Sequence, residues 1–216
     1  MNKNKQKIGY RTKSIKHSFT GRMLTKYAGL SPIMDYINKL RIGDQLNELF
    51  ATERSNATKF SNIQIILSIL LASLAGVNRI SRISNFTGDS LVQKLLNLSK
   101  NLNKDVIGQR LKKLGQRGSI IFQEYTFEKV KQWIRETGLI AITIDCDSTV
   151  QTVYGNQQGA AKGYNSVKKG AKSYHSLLAF ISEIKIVVNN RFRTGSAYTS
   201  NGIVSFIKQT AAIIPE

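Results

Sequence analysis

The chain changes its hydrophobic period once, and that change constrains everything else. After a long stretch patterned at helical spacing, Leu139–Cys146 reads LIAITIDC, a β-branched run that suits a pleated strand. A helical leader followed by a sheet is an α+β chain, and its sheet must be covered on at least one face. In a strand, residues two apart share a face, so Asp145 and Asp147 project together while Ile142, Ile144 and Cys146 project to the other side. The strand is thus expected to end in two neighbouring carboxylates, with Cys146 a buried, unreactive thiol among apolar neighbours.

Upstream, three regions are expected. Residues 1–30 form a basic flexible arm carrying Lys3, Lys5, Lys7, Arg11, Lys13, Lys16, Arg22 and Lys26, for which a solvated tail without a role is the competing reading. Residues 31–137 are helical. Ser31-Pro32 starts one or two helices broken near Gly43, and Ser61 is a plausible N-cap for the helix Ile63–Val77. Shorter segments follow at Asn78–Asn85, Asp89–Leu98 and Asp105–Leu114, then an amphipathic helix over Ser119–Thr137 with Gly138 beyond its end. Turns at Thr87-Gly88 and Asn101–Asn103, ahead of Arg110, Lys112 and Lys113, suit a helix-turn-helix that brings those three cations to a DNA groove. They suit any small bundle as well.

Downstream of the first strand, two more are expected at Leu177–Ser182 and Lys185–Val188 around a turn near Glu183. A helix over Ser200–Ile214 follows, capped by Ser200 or Asn201. Between them, Gln157–Tyr174 mixes Gly159, Gly163 and Gly170 with Lys162, Lys168, Lys169 and Lys172 and interleaves Tyr164 and Tyr174. Lysines bind phosphate and tyrosines stack on bases, so the segment suits a DNA strand; a solvated lysine-rich loop explains the charges equally well. Arg191 and Arg193 either grip phosphate or cover a sheet edge.

Charge decides the class of partner. Lys and Arg number 32 against 13 Asp and Glu, a formal net charge of +19 spread along all 216 residues, which favours nucleic acid over a membrane surface. No apolar run reaches the ~20 residues that span a bilayer, and no secretory leader is visible, so a cytoplasmic protein without a membrane partner is expected. Cys146 alone can make neither an internal disulfide nor a thiolate zinc site. His17 and His175 have no second ligand at zinc spacing, and His175 is expected to make a local hydrogen bond.

For the paired aspartates two readings stand: a strand-ending turn before Ser148-Thr149, or an oxygen-only site for Mg²⁺ or Mn²⁺ that offsets two close like charges. A longer pattern bears on the choice. Asp145-Cys146-Asp147-Ser148-Thr149 is followed by Tyr154-Gly155, Gln158-Gly159-Ala160, Gly163-Tyr164-Asn165, Lys172-Ser173-Tyr174-His175 and Tyr198-Thr199-Ser200-Asn201-Gly202. From Leu139 to Phe206 this resembles the DDE insertion-sequence transposases whose first catalytic strand reads Asp-x-Asp-Ser-Thr. The chain departs from that pattern at Ser166 and Ser176, where such proteins usually carry proline.

The resemblance implies that residues 138–216 are an incomplete ribonuclease-H-like domain, with its first three strands and first helix, truncated before the fourth strand. It implies Asp147 as first catalytic carboxylate and metal ligand, with Asp145 in support. It also implies Mg²⁺ or Mn²⁺, double-stranded DNA partners (element terminal inverted repeats and target), and a possible homodimer. In-line phosphoryl transfer of this kind needs a second Asp and a Glu, yet the only acids after Asp147 are Glu183 and Glu216. A transposase fragment is therefore expected, the alternatives being a catalytically dead DNA-binding remnant or inhibitor of an intact transposase, and a basic RNA-associated protein.

Overall fold

Capping chemistry sets the helices of the first half. In a computed structural model that describes residues 24–50, 60–198 and 200–215, the Ser61 hydroxyl accepts from Gln64 N–H at 3.1 Å and the Gln64 side chain accepts from Ser61 N–H at 2.9 Å. This capping box starts α3 (Asn62–Leu74). Ile63, Ile65, Leu67 and Leu71 are all buried, as befits a helix apolar around most of its circumference. Most of the basic arm, with His17, lies outside the described residues, as do Thr199 and Glu216.

The chain divides into two compact units, Met1–Ile121 and Phe122–Glu216. In the first, α1 (Leu30–Lys39) and α2 (Ile42–Leu49) precede α3, and the break expected near Gly43 falls at Arg41, which takes a left-handed φ of 56°. A 3-10 turn at Ile80–Arg82 leads into α4 (Ile83–Thr87) and α5 (Ser90–Leu95). Asp89 caps α5 by accepting from Leu91 N–H at 2.9 Å, while its other oxygen accepts from Thr25 at 2.9 Å. Thr87, fully buried, bonds Ile83 O, Leu102 O and Leu102 N–H, so one hydroxyl joins α4 to the segment before α6. The two helices expected at 105–114 and 119–137 form one run, α6 (Lys104–Thr137), interrupted at Gly115 with φ 50° and ψ −146°, a conformation that glycine adopts without a Cβ clash.

In the second unit the sheet is antiparallel. It comprises β1 (Ile144–Thr152), β2 (Ala161–Lys162), β3 (Lys172–Ile181) and β4 (Ile186–Arg191), one strand more than expected because the short β2 lies inside the lysine-rich segment. β3 is central. β1 pairs with it along one side, while β2 and β4 share the other. Leu177, Ala179 and Ile181 of β3 pack with Val188 of β4, with Val130 and Ile134 of α6, and with Phe206 of α7 (Ile203–Ala211). That helix starts after Gly202, at φ 73°, rather than at Ser200 or Asn201.

Two expectations about the first strand are corrected. Pairing begins at Ile144, opposite Ile181, and not at Leu139, because β3 supplies no partner beyond the turn that starts at Ser182; Ile140 is left fully exposed. The strand then runs on through Ser148 and Thr149 to Thr152, opposite Ser173, so the aspartates lie near its start and not at its end. Cys146, expected to be buried, is exposed: its strand is paired on one side only among the described residues, and the core gathers over β3.

Candidate functional site

The register of β1 on β3 defines two faces. Leu177, Ala179 and Ile181 point into the core, whereas Leu178 and Phe180 point away from it and lie directly across from Asp147 and Asp145. Both carboxylates thus stand on the sheet face opposite the core, as the spacing predicts. Asp147 is exposed and accepts from Ser148 N–H at 2.7 Å. Asp145 is exposed too, and its carboxylate accepts from the hydroxyl of Ser182, the first residue past β3. The two acids therefore differ: Asp145 is tied to the hairpin turn, and Asp147 is bonded only locally by these contacts.

Glu183 takes no part in this pair. Both its oxygens accept from Thr143 N–H, at 2.8 and 3.0 Å, and those bonds hold its carboxyl below the usual carboxylate range. It staples the hairpin turn to the residue before β1. Among the described residues, no group of three or more His, Cys, Asp or Glu side chains could hold a metal ion.

The lysine-rich segment is more ordered by local bonds than a plain loop. Asn165, buried, accepts from Val167 N–H and Lys168 N–H at 3.0 and 2.9 Å and donates to Thr152 Oγ1 at 2.8 Å, which ties the segment to the end of β1. Gly163 packs its backbone against Gly195, and a Cβ at either position would collide with backbone oxygen. Lys162 lies directly across from Lys172 on the β2–β3 ladder. Lys172 Nζ donates to Asn156 at 2.9 Å, Lys168 Nζ sits 5.0 Å from the centre of the Tyr154 ring, and Lys169 and Tyr164 are exposed.

Three of the cations considered for DNA make bonds within the fold. Arg110 is buried, its Nη1 donating to Asn62 Oδ1 at 2.7 Å, so it joins α6 to the start of α3; Lys112 and Lys113 beside it are exposed. Arg191 donates to Gly202 O, Ser205 Oγ and Gln209 Oε1 at 2.8 to 3.0 Å and covers the Phe206 ring at 5.4 Å, fastening α7 to β4. Arg193 donates to His175 O, Tyr198 O and Asn201 O at 2.7 to 3.0 Å; desolvation first, and the Arg191 charge second, push its pKa down. Both guanidiniums thus tie β3 and β4 to the segment that leads into α7.

His175 makes the expected local bond, its Nδ1 lying 2.7 Å from Ala197 O. A carbonyl only accepts, so Nδ1 carries the proton. Sequence reasoning did not single out Phe192. Its ring packs on Tyr174 in a tilted pair, with centroids 4.4 Å apart and planes at 42°, while remaining 63% exposed. Extending the period-two pattern back to Lys172 would have placed Tyr174 on the face of Asp147, but nothing local announces Phe192.

Comparison with known families adds one result. The model described as "Transposase DDE domain group 1" matches residues 8–216. No curated protein and no solved structure gave a match.

Proposed function

We infer a role in DNA transposition for this chain, which belongs to the group 1 family of DDE-domain transposases. Asp147 is the leading metal-holding carboxylate, Asp145 supports it, and the exposed lysines 162, 168 and 169, with the half-buried Lys172, bind the DNA backbone. The single observation that carries this reading is the placement of both aspartates on one exposed sheet face, turned away from the core.

The residues fit a hard divalent ion. Two carboxylates on one face offer oxygen donors alone, and Mg²⁺ or Mn²⁺ keeps several waters when only one or two carboxylates hold it. Of the two ions such an in-line displacement at phosphorus uses, the one held by Asp147 and Asp145 would activate the attacking water or hydroxyl, and a second would stabilise the leaving oxygen. The chain's own residues set the rest. Asp147 presents its carboxylate, Ser182 orients Asp145, and the lysines neutralise phosphates beside them. The helical region followed by an antiparallel sheet suits a ribonuclease-H-like domain, with one edge of β1, unpaired among the described residues, open to a further strand.

A second reading is favoured by the lack of a third carboxylate near Asp147 among the described residues. With the aspartate pair alone, the chain binds DNA without cutting it and competes with an intact transposase at element ends. Cleavage then requires carboxylates from outside the described residues.

Titration with Mn²⁺ followed by electron paramagnetic resonance tests the site. Asp147→Asn should weaken binding about tenfold or more, and Asp145→Asn should weaken it less, since that carboxylate is already engaged by Ser182. Wild-type affinity in Asp147→Asn would remove Asp147 from the site.

A further inference from the structure

Beyond the acids, the face that carries Asp147 holds a second constellation. Along β3 the residues sharing the side of Leu178 are Lys172, Tyr174, Ser176 and Phe180, and Lys162 of β2 joins them opposite Lys172. Tyr174 therefore stands on the face of Asp147, four strand residues from Leu178, or about 13 Å away, a reach of a few nucleotides.

Two features of this end of the sheet go unexplained by folding. The first is the tilted Tyr174–Phe192 pair: the Tyr174 hydroxyl donates to Gln158 O at 2.7 Å, which fixes one ring, and the other ring packs on it at 4.4 Å and an angle of 42° and still leaves 63% of Phe192 to water. An apolar ring backed by an anchored aromatic and left wet is a surface whose burial under a flat partner is favourable. The second is the Lys162–Lys172 pair, two like charges directly across a ladder, an arrangement that destabilises a sheet unless an anion lies between them. Among the described residues neither lysine makes an ion pair, and Lys172 Nζ donates to the neutral Asn156.

A flat aromatic partner and an anion on one sheet face together describe a nucleotide. Within a duplex each base is already covered by its neighbours, so an exposed ring stacks on an unpaired or terminal base, and stacking of this kind tolerates any sequence. We propose that the sheet face of Asp147 holds an unpaired end of DNA, with a base stacked on the Tyr174–Phe192 pair and its flanking phosphate on Lys162 and Lys172. This rests on the reading of that face as the DNA-facing side, and it narrows the partner from duplex DNA to a frayed or single-stranded terminus.

The test uses the full chain in the presence of EDTA, so that no cleavage enters. One probe is a duplex with a short 3′ overhang carrying 2-aminopurine; the other is the same duplex fully paired. The wild-type protein should quench the overhang fluorescence and prefer that probe. Phe192→Leu should lose about tenfold in affinity for the overhang while holding the paired duplex within about twofold, and Phe192→Trp should restore the preference. Thermal melts of both variants show whether they fold, and Tyr174→Phe, which keeps the ring and loses only its bond to Gln158, serves as a second variant that should retain most of the preference. Duplex binding without preference for the overhang, or equal weakening of both probes by Phe192→Leu, overturns this inference and leaves the DNA reading intact. Failure of the wild-type protein to bind either probe overturns both.

Discussion

Arg110 and Cys146 show how far a residue's type is from its role. A basic side chain near a turn reads as a DNA contact, yet Arg110 is buried and donates to Asn62, so removing it takes a charge-assisted hydrogen bond out of the helical unit. Arg110→Ala should lower stability by roughly 1–3 kcal/mol in urea melts, whereas Lys112→Ala and Lys113→Ala, at exposed positions, should stay within about 0.5 kcal/mol. Cys146 errs in the opposite sense: a thiol among apolar neighbours reads as core, but it is exposed on an edge strand. Partial desolvation, and secondarily the Asp145 charge, push its pKa up. A maleimide should therefore label it fully in the folded protein, more slowly at neutral pH than a free cysteine, and faster as pH climbs beyond the ordinary thiol range. Protection until denaturant is added would contradict the exposed position.

Among elements, the β3–β4 hairpin positions the site more than any other. Its turn supplies Ser182 to Asp145 and Glu183 to Thr143, and its end decides where β1 begins. Because the folded Glu183 carboxyl has a lowered pKa, the stabilisation it gives is present above the unfolded carboxylate pKa and is lost as pH falls through the lower folded value. The gap in melting temperature between the wild type and Glu183→Gln should thus be full at neutral pH and close in acid. A gap that stays constant down to that acid range would mean that the charge is not what Thr143 binds. The hairpin and its turn were legible from Leu177 to Val188 because β-branched alternation and a break are local signals; the five extra residues of β3 were not, since Lys172–Ser176 are polar and become strand only by pairing with β1.

For the whole molecule, charge is the dominant property. A formal charge of +19 implies that DNA binding is driven by counterion release, so the logarithm of affinity should fall linearly with the logarithm of salt, by about 0.9 per phosphate neutralised. Lys172→Ala should shrink that slope by about 1, while Arg191→Ala, whose guanidinium holds α7, should act through stability and leave the slope unchanged. Equal slopes in all three proteins would place the phosphate contacts elsewhere. Among the described residues no helix is long and apolar enough to cross a membrane.

Reading residues alone was enough for whatever depends on near neighbours. The switch from helical to strand period, the cap at Ser61, the shared face of Asp145 and Asp147, and the motif from Leu139 to Phe206 all follow from spacings of a few residues, which the backbone converts directly into geometry. Matters that join distant parts of the chain waited for the packed protein. Arg110 meets Asn62 across 48 positions, Thr143 meets Glu183 across 40, and Phe192 meets Tyr174 across 18. The physical reason is that a charge or a ring takes its role from whatever partner tertiary packing brings to it, and no local rule names that partner before the intervening loop has closed.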